Sequence, residues 1–253
     1  MARIDYDKAA ASYDRGRARP PEHLEEWHAA LRPYLSIERG QEPVLDLGAG
    51  TGIWSRALTS WFGVSVVALE PSPGMRAAAL TKRLVGRVAM VAGDGQAIPL
   101  REGCCQAAWL STVIHHIPDL DACAIELRRV LRPEGLVLIR NSFPGRQDEI
   151  PLFRFFPAAR AVAETFPTLE ATEASFATAG FKRRELRRIH EPRDADMVTA
   201  IQRVRALRYS DSTLVPLSDE EFASGVLAME QAAAAGALVP PTGLDVLVLG
   251  SVT

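Results

Sequence analysis

The chain has 253 residues, is 47% hydrophobic, and sets 29 basic against 31 acidic side chains for a net charge of −2. That is enough apolar material for one α/β domain with insertions. The near-neutral balance argues against a general pull toward nucleic acid or an anionic membrane.

Residues 1–40 carry two aromatic–acid pairs, Tyr6-Asp7 and Tyr13-Asp14, spaced so that they share a face if the segment is helical. Arg15, Arg17 and Arg19 follow, then Pro20-Pro21. A helix is expected from Glu22 to Leu35, with Leu24, Trp27, His28, Leu31 and Leu35 on its apolar side. The start of the chain lacks the apolar core of a signal peptide, and no apolar run approaches a bilayer span. A cytoplasmic protein is expected.

The next stretch organises the rest. Val44-Leu45-Asp46-Leu47 reads as a buried parallel strand. It runs into Gly48-Ala49-Gly50-Thr51-Gly52 and a helix from Ile53 to Trp61. Glycines in such a turn permit φ > 0 and let a ligand approach the backbone. The dinucleotide fingerprint G-x-G-x-x-G would place glycine where Ile53 stands. A second strand, Val64 to Leu69, ends at Glu70, about twenty residues past the glycines, where a carboxylate accepts hydrogen bonds from ribose hydroxyls. A third, Arg87 to Ala92, runs into Gly93-Asp94-Gly95, and a fourth, Ala107 to Val113, into His115-His116. Each acid also reads as a helix cap or loop anion. Three strands ending in polar groups at one sheet edge point to a shared site.

A helix from Asp119 to Leu131 is expected next, with Arg128, Arg129 and Arg132 at its C-terminal end and Pro133-Glu134-Gly135 as its stop. The fifth strand is Leu136 to Arg140, followed by Asn141. Between Ile150 and Phe166 an inserted helix rich in phenylalanine is expected to wall an apolar pocket, although ordinary packing on the sheet reads as well. A helix from Glu173 to Ala179 ends at Gly180. Lys182 to Ile189 is a charged strand suited to a sheet edge. Residues 194–238 are helical and alanine-rich, and Asp245 to Val252 is the last strand. Cys104, Cys105 and Cys123 have neither disulfide-framework nor zinc spacing, so no metal is expected.

The segments VLDLGAGTG, ALEPSPGM, GDGQAIPL, STVIHHIPDL and ELRRVLRPEGLVLI lie in order between Val44 and Ile139. In these it resembles the class I S-adenosylmethionine-dependent methyltransferases, most of all their small-molecule type 11 branch. The resemblance covers the central hundred residues well, the first forty loosely and the segment after Asn141 poorly. It implies a doubly wound, seven-stranded, mostly parallel sheet with an antiparallel final strand from Val246 to Val252. One methyltransferase domain is implied: a helical cap over 1–40, a cofactor-binding core over 41–142, and substrate-side helical insertions over 143–172 and 194–240.

The resemblance also implies a cofactor, S-adenosyl-L-methionine. Its opening segment matches at Tyr6, Ala10, Tyr13 and Asp14, and folds over the cofactor in similar enzymes. Arg17 then pairs with the methionine carboxylate, or stays solvated. Asp46 binds turn amides or the ligand's ammonium group. Gly48, Ala49, Gly50 and Gly52 form the turn. Glu70 and Pro71 border the ribose, and Met75 covers an adenine face. Asp94, Gly95 and Gln96 meet the adenine edge, and Ser111 and His116 line the cofactor. His115 is the candidate general base, since neutral imidazole takes protons near physiological pH. Asn141, Phe153 and Phe156 are candidate substrate contacts.

The reaction implied is methyl transfer to a small apolar or aromatic molecule of specialised metabolism, with no nucleic-acid or membrane partner. A non-catalytic cofactor-binding protein and a nicotinamide-dependent oxidoreductase are the alternatives. An RNA or protein methyltransferase would want a charged docking surface that the composition lacks.

Overall fold

The computed structural model describes residues 6–17, 24–82, 87–192 and 194–251. The side chains of Ala10 and Arg15, and all of Arg19, Pro20, Pro21, Glu22 and Val252, lie outside the described part. Seven strands form one sheet in the order β3-β2-β1-β4-β5-β7-β6. These are β1 (Val44–Leu47), β2 (Val66–Glu70), β3 (Val88–Ala92), β4 (Cys105–Ser111), β5 (Leu131–Asn141), β6 (Phe181–Glu191) and β7 (Thr242–Ser251). The first five run parallel. β7 inserts antiparallel between β5 and β6, as expected of the final strand. The glycine turn follows β1, and the strand order reverses beside β1. Ligand crevices in open α/β sheets form at such a point.

Alternation along the strands divides the core between two faces. Leu45, Leu47, Ala108, Leu110, Val137 and Ile139 face α5 (Leu120–Val130) and α8 (Leu169–Thr178), meeting Leu127, Val130 and Phe176. Val44, Val66, Trp109 and Leu138 face α2 (Glu25–Leu31) and α3 (Ile53–Phe62), meeting Trp27, Leu31, Leu58 and Phe62. α4 (Pro73–Thr81) is set by an N-cap and proline start, its Ser72 side chain accepting from the Met75 amide. Asp119 likewise caps α5 through the Ala122 amide.

A third apolar cluster stands apart from the sheet. It joins α6 (Pro151–Phe155), α7 (Pro157–Ala163), α9 (Met197–Leu207) and α10 (Asp219–Ala234) through Phe153, Phe156, Ala159, Ile201, Val204, Val226 and Met229. α10 opens with a full capping box between Ser218 and Glu221. α1 (Tyr6–Arg17) packs on α9 and α4.

Several boundaries differ from expectation. Of the helix expected over 22–35, the described part is regular from Glu25 to Leu31 and ends in turns. The fourth strand stops at Ser111, and His115-His116 sit in a 3₁₀ turn, Ile114–His116. β5 starts at Leu131, because the chain turns extended there and Leu131 pairs with Cys105 across a register shift. The single helix expected over 150–166 is two, broken where Pro157 follows Phe156 and starts α7. α8 begins at Leu169, where Thr168 caps it. β6 is the charged edge strand expected, with Lys182, Arg183, Arg184 and Arg187 exposed.

Candidate functional site

The turn after β1 is built on left-handed backbone. Gly48, Gly50 and Gly52 have φ of 73°, 57° and 78°. At Gly48 a Cβ would lie 2.4 Å from Val113 Cγ2, whereas at Gly50 it would meet only Tyr13 Cε1 at 3.9 Å. Glycine at the first position lets the turn pack on the β4 loop, and at the second it leaves open space for a ligand. Glu70 closes the turn from β2. One carboxylate oxygen accepts from the Gly50 amide at 2.8 Å and the other from the Ser72 amide at 2.8 Å. Burial raises its pKa against these hydrogen bonds. Each oxygen keeps a second lone pair for a hydroxyl.

Asp46 is held by Ser55 of α3. It is buried, and Ser55 donates its hydroxyl to it at 2.6 Å. The carboxyl thus ties β1 to the first turn of α3, and burial pushes its pKa up to about 7. Asp94 braces its own turn, accepting from the Gln96 amide at 2.8 Å. Gly95 packs on Leu47 and Cys123, where a Cβ would come within 3.0 Å of the Cys123 sulfur. Met75 is fully buried at the start of α4, close behind Pro71.

α1 lies across these groups. Asp7 accepts from the Ser72 hydroxyl at 2.6 Å and the Gly74 amide at 2.8 Å. Asp14 accepts from the Thr51 hydroxyl and pairs with Lys82, both at 2.5 Å. Arg17 reaches to the loop after α9, pairing with Asp211 at 3.3 Å and lying 5.1 Å from the Tyr13 ring centroid. Arg17 therefore has a partner in the cap, where sequence reasoning expected the methionine carboxylate or solvent.

A cavity of about 300 Å³ runs from this turn into the helical cap. Tyr13, Arg17, Gly48, Ala49, Thr51 and Ser111 line its inner end. Ile150, Leu152, Phe153, Phe155, Met197, Val204 and Met229 form its apolar wall. Phe153, a candidate substrate contact, stands on this wall. Two other expected contacts are corrected. Phe156 does not line the cavity; its ring packs on Phe222 and blocks the space beside Gly225, where a Cβ would lie 2.2 Å away. Asn141 is buried at 2% exposure and pairs with Asp245 across the β5–β7 ladder, because strand alternation turns it from the cavity.

His115 is also placed otherwise than expected. His115 stacks on Phe166 at 4.2 Å between centroids, and its Nε2 lies 2.9 Å from the Ser212 hydroxyl. It does not line the cavity, since the 3₁₀ turn carries it past the strand end. Burial first, then His116 and Arg17, hold its pKa well below the usual histidine range. His116 Nε2 meets the Tyr6 hydroxyl at 2.7 Å and the Ser212 hydroxyl at 3.1 Å.

Sequence reasoning missed the polar floor. Thr112 lines the cavity at φ 51°, the one left-handed non-glycine among the described residues. Arg140, Glu191, Asp194, Arg203 and Asp211 line it too. Arg140 pairs with Glu191, Arg203 with Asp194 and Arg17 with Asp211. An arginine inside an otherwise apolar strand, Leu136-Val137-Leu138-Ile139-Arg140, was the available signal. No cluster of metal-ligating side chains occurs among the described residues.

The methyltransferase domain family of type 11 matches residues 45–139, the whole strand-and-turn core of the site. Over that core the chain matches a methyltransferase domain. The chain is 31% identical over 156 residues to a malonyl-[acyl-carrier protein] O-methyltransferase of Methylovorus, covering 58% of this chain and 52% of that protein. It is 32% identical over 154 residues to a demethylmenaquinone methyltransferase of Parafrankia, covering 53% and 59%. The chain thus spans a little over half the length of these relatives. Among solved structures it is similar to one described as a methyltransferase from an antibiotic biosynthesis pathway of Anabaena variabilis. There the TM-score is 0.70 at 19% identity, over 89% of this chain and 96% of that one, a likeness of fold. The domain's cofactor, S-adenosylmethionine, fits the donor set. The open space over Gly50, the lone pairs left on Glu70 and the carboxylate of Asp94 at the end of β3 are the groups that a nucleoside needs.

Proposed function

We propose that this protein transfers a methyl group from S-adenosylmethionine to a small, uncharged acceptor with an apolar or aromatic body. The observation that carries this reading is the continuous cavity from the glycine turn to the apolar cap. When bound, the cofactor supplies an electrophilic methyl group. Glu70 and Asp94 hold the adenosine end, with Pro71, Met75, Gly95 and Gln96 around it. Gly48, Ala49 and Tyr13 border the methionine end. The cap helices and α1 exclude water, and orientation in such a closed site supplies ~7–11 kcal/mol of barrier reduction in favourable systems. Phe153, Phe155 and Leu152 hold the acceptor's apolar body.

The three arginines of the cavity each have a carboxylate partner. An ionised acceptor would have to break one of these pairs in a poorly solvated place, which is costly. Hence the uncharged acceptor. A base role for His115 has no support from its position, and the transfer is assigned to proximity. We also assign the helical cap to 1–40, the cofactor core to 41–142 and the acceptor side to 143–172 and 194–240. The protein is assigned to the cytoplasm; no helix among the described residues is long and apolar enough to cross a membrane.

Titration calorimetry with S-adenosylhomocysteine and with NAD tests the cofactor. Binding of the first alone is expected, and binding of NAD alone would reverse the reading. Release of S-adenosylhomocysteine across a panel of phenols, quinols and heteroaromatics then separates an enzyme from a cofactor-binding protein.

A further inference from the structure

The cavity floor holds a guanidinium that the proposed reaction does not yet use. Arg140 stands on β5, on the sheet face that carries Trp109. Its guanidinium carbon lies 5.0 Å from the Trp27 ring centroid and 5.3 Å from that of Trp54. Trp54 in turn packs on Trp109 at 5.0 Å and Trp61 at 6.2 Å between centroids. The four tryptophans of the chain thus form one aromatic cluster, and two of them, Trp27 and Trp54, face this cation. Stacking on indoles occupies the faces of a guanidinium and leaves its in-plane donors for hydrogen bonds.

Those donors are only partly used. One terminal nitrogen pairs with Glu191, which also accepts from Trp27 Nε1 at 2.9 Å. The other reaches the Ser111 hydroxyl at 3.3 Å, a long contact. Nε is buried and has no hydrogen-bond partner among the described residues. Arg140, Glu191, Ser111 and Trp54 all line the cavity, beside Gly48 and Thr112.

We infer that Arg140 and Trp54 form the subsite that orients the acceptor: an indole face for a planar ring, and guanidinium donors for an uncharged oxygen on it. This rests on the methyltransferase reading and names the acceptor class of the same site. Two features set the class. Glu191, at 3% exposure, repels a carboxylate at this position, so the recognised oxygen is a hydroxyl or carbonyl. The tryptophan faces and Glu191 fix the arginine before any ligand arrives, so its donors are preorganised. A site built to hydrogen-bond an oxygen discriminates strongly against an analogue that lacks it.

The test uses the whole protein saturated with S-adenosylhomocysteine, and calorimetry with 1-naphthol, 1-methylnaphthalene and 1-naphthoic acid. 1-Naphthol is expected to bind at least ~tenfold tighter than its methyl isostere, since one buried donor would otherwise stay unpaired. 1-Naphthoic acid is expected to bind more weakly than 1-naphthol. Arg140→Gln should abolish the preference and leave S-adenosylhomocysteine affinity within about twofold, because the cofactor lacks this contact. The double variant Arg140→Met with Glu191→Gln, which leaves no charge unpaired, should do the same and guards against misfolding. The inference is overturned if 1-naphthol does not bind, or if the preference survives in either folded variant. Tighter binding of 1-naphthoic acid would overturn the uncharged class. Arg140→Gln weakening S-adenosylhomocysteine but not 5′-methylthioadenosine would assign Arg140 to the cofactor's carboxylate instead. If wild type fails to bind S-adenosylhomocysteine at all, the methyltransferase reading falls, and the naphthol comparison on ligand-free protein still decides the subsite.

Discussion

Two carboxyls at the ends of neighbouring strands carry opposite consequences. Asp46 is buried with a single hydroxyl and an amide of Ser55 for company, and its pKa stands at about 7. A raised carboxyl favours folding at low pH, where both states are protonated. That contribution is lost as pH rises from the unfolded value of 3.8 through about 7. Asp46→Asn removes the titration while keeping an acceptor for Ser55. The variant is expected to melt above wild type at pH 8 and near it at pH 5, read by calorimetric Tm. An equal Tm difference at both pH values would mean that Asp46 is ionised throughout. Glu70 instead accepts from the Gly50 and Ser72 amides, and its proposed ligand is the ribose. Glu70→Ala is expected to weaken S-adenosylhomocysteine at least ~tenfold, since hydrogen bonds to a charged group are worth roughly 1.5–3 kcal/mol each. An unchanged Kd in the folded variant would remove it from the site. His115 titrates with the other sign from Asp46. Its depressed pKa costs stability as pH falls below the usual histidine value of 6.5. His115→Gln should flatten that acid-side decline in Tm.

At the scale of elements, α1 and α10 are the joints to test. α1 binds the cofactor turn through Asp7 and Asp14 and the cap through Arg17, so one helix spans both ends of the cavity. Its amides are expected to gain protection from hydrogen exchange when S-adenosylhomocysteine binds, because segments that close over ligands come from the less stable end of a fold. Equal protection with and without ligand would mean a fixed wall. α10 meets α6 where Gly225 faces Phe156, with a Cβ at 2.2 Å from the ring. An aromatic ring held between helices cannot yield that distance. Gly225→Val is expected to destabilise the cap by ~1–3 kcal/mol, and to reduce acceptor binding while leaving the cofactor Kd nearly unchanged, as the sheet core is a separate cluster.

For the whole molecule, the site joins two cores with different sequence characters. The sheet carries an apolar cluster on each face, while the cap cluster is drawn from helices and from the loops that hold Leu214, Leu217 and Val239. A ligand that touches both should stabilise both. At a hundredfold excess over Kd, S-adenosylhomocysteine is expected to add about 2.7 kcal/mol to unfolding by mass action. Two separate thermal transitions in the absence of ligand, merging in its presence, would show that the cap melts independently. A single transition in both states would show that the two cores are already cooperative.

The sequence by itself determined the sheet and the glycine-turn end of the cavity. Val44–Leu47, the glycine turn, Glu70 and Asp94 are local signals, since each strand and the residue that ends it are adjacent in the chain. The charged edge strand was legible for the same reason: its charges need no partner to be read. Only the tertiary structure decided the polar floor and apolar wall of the cavity. Arg140, Glu191, Trp27 and Trp54 come from β5, β6, α2 and α3, and nothing in their spacing announces that they meet. Phe153 and Phe156 are three residues apart in one phenylalanine-rich segment, yet α6 ends at Phe155, ahead of Pro157, and of the two only Phe153 lines the cavity. His115 reads as a base at a strand end until the 3₁₀ turn, set by long-range packing of Ile114, carries it to Ser212 and Phe166. Backbone periodicity is a short-range property, whereas a side chain's neighbours across a fold depend on how the elements pack.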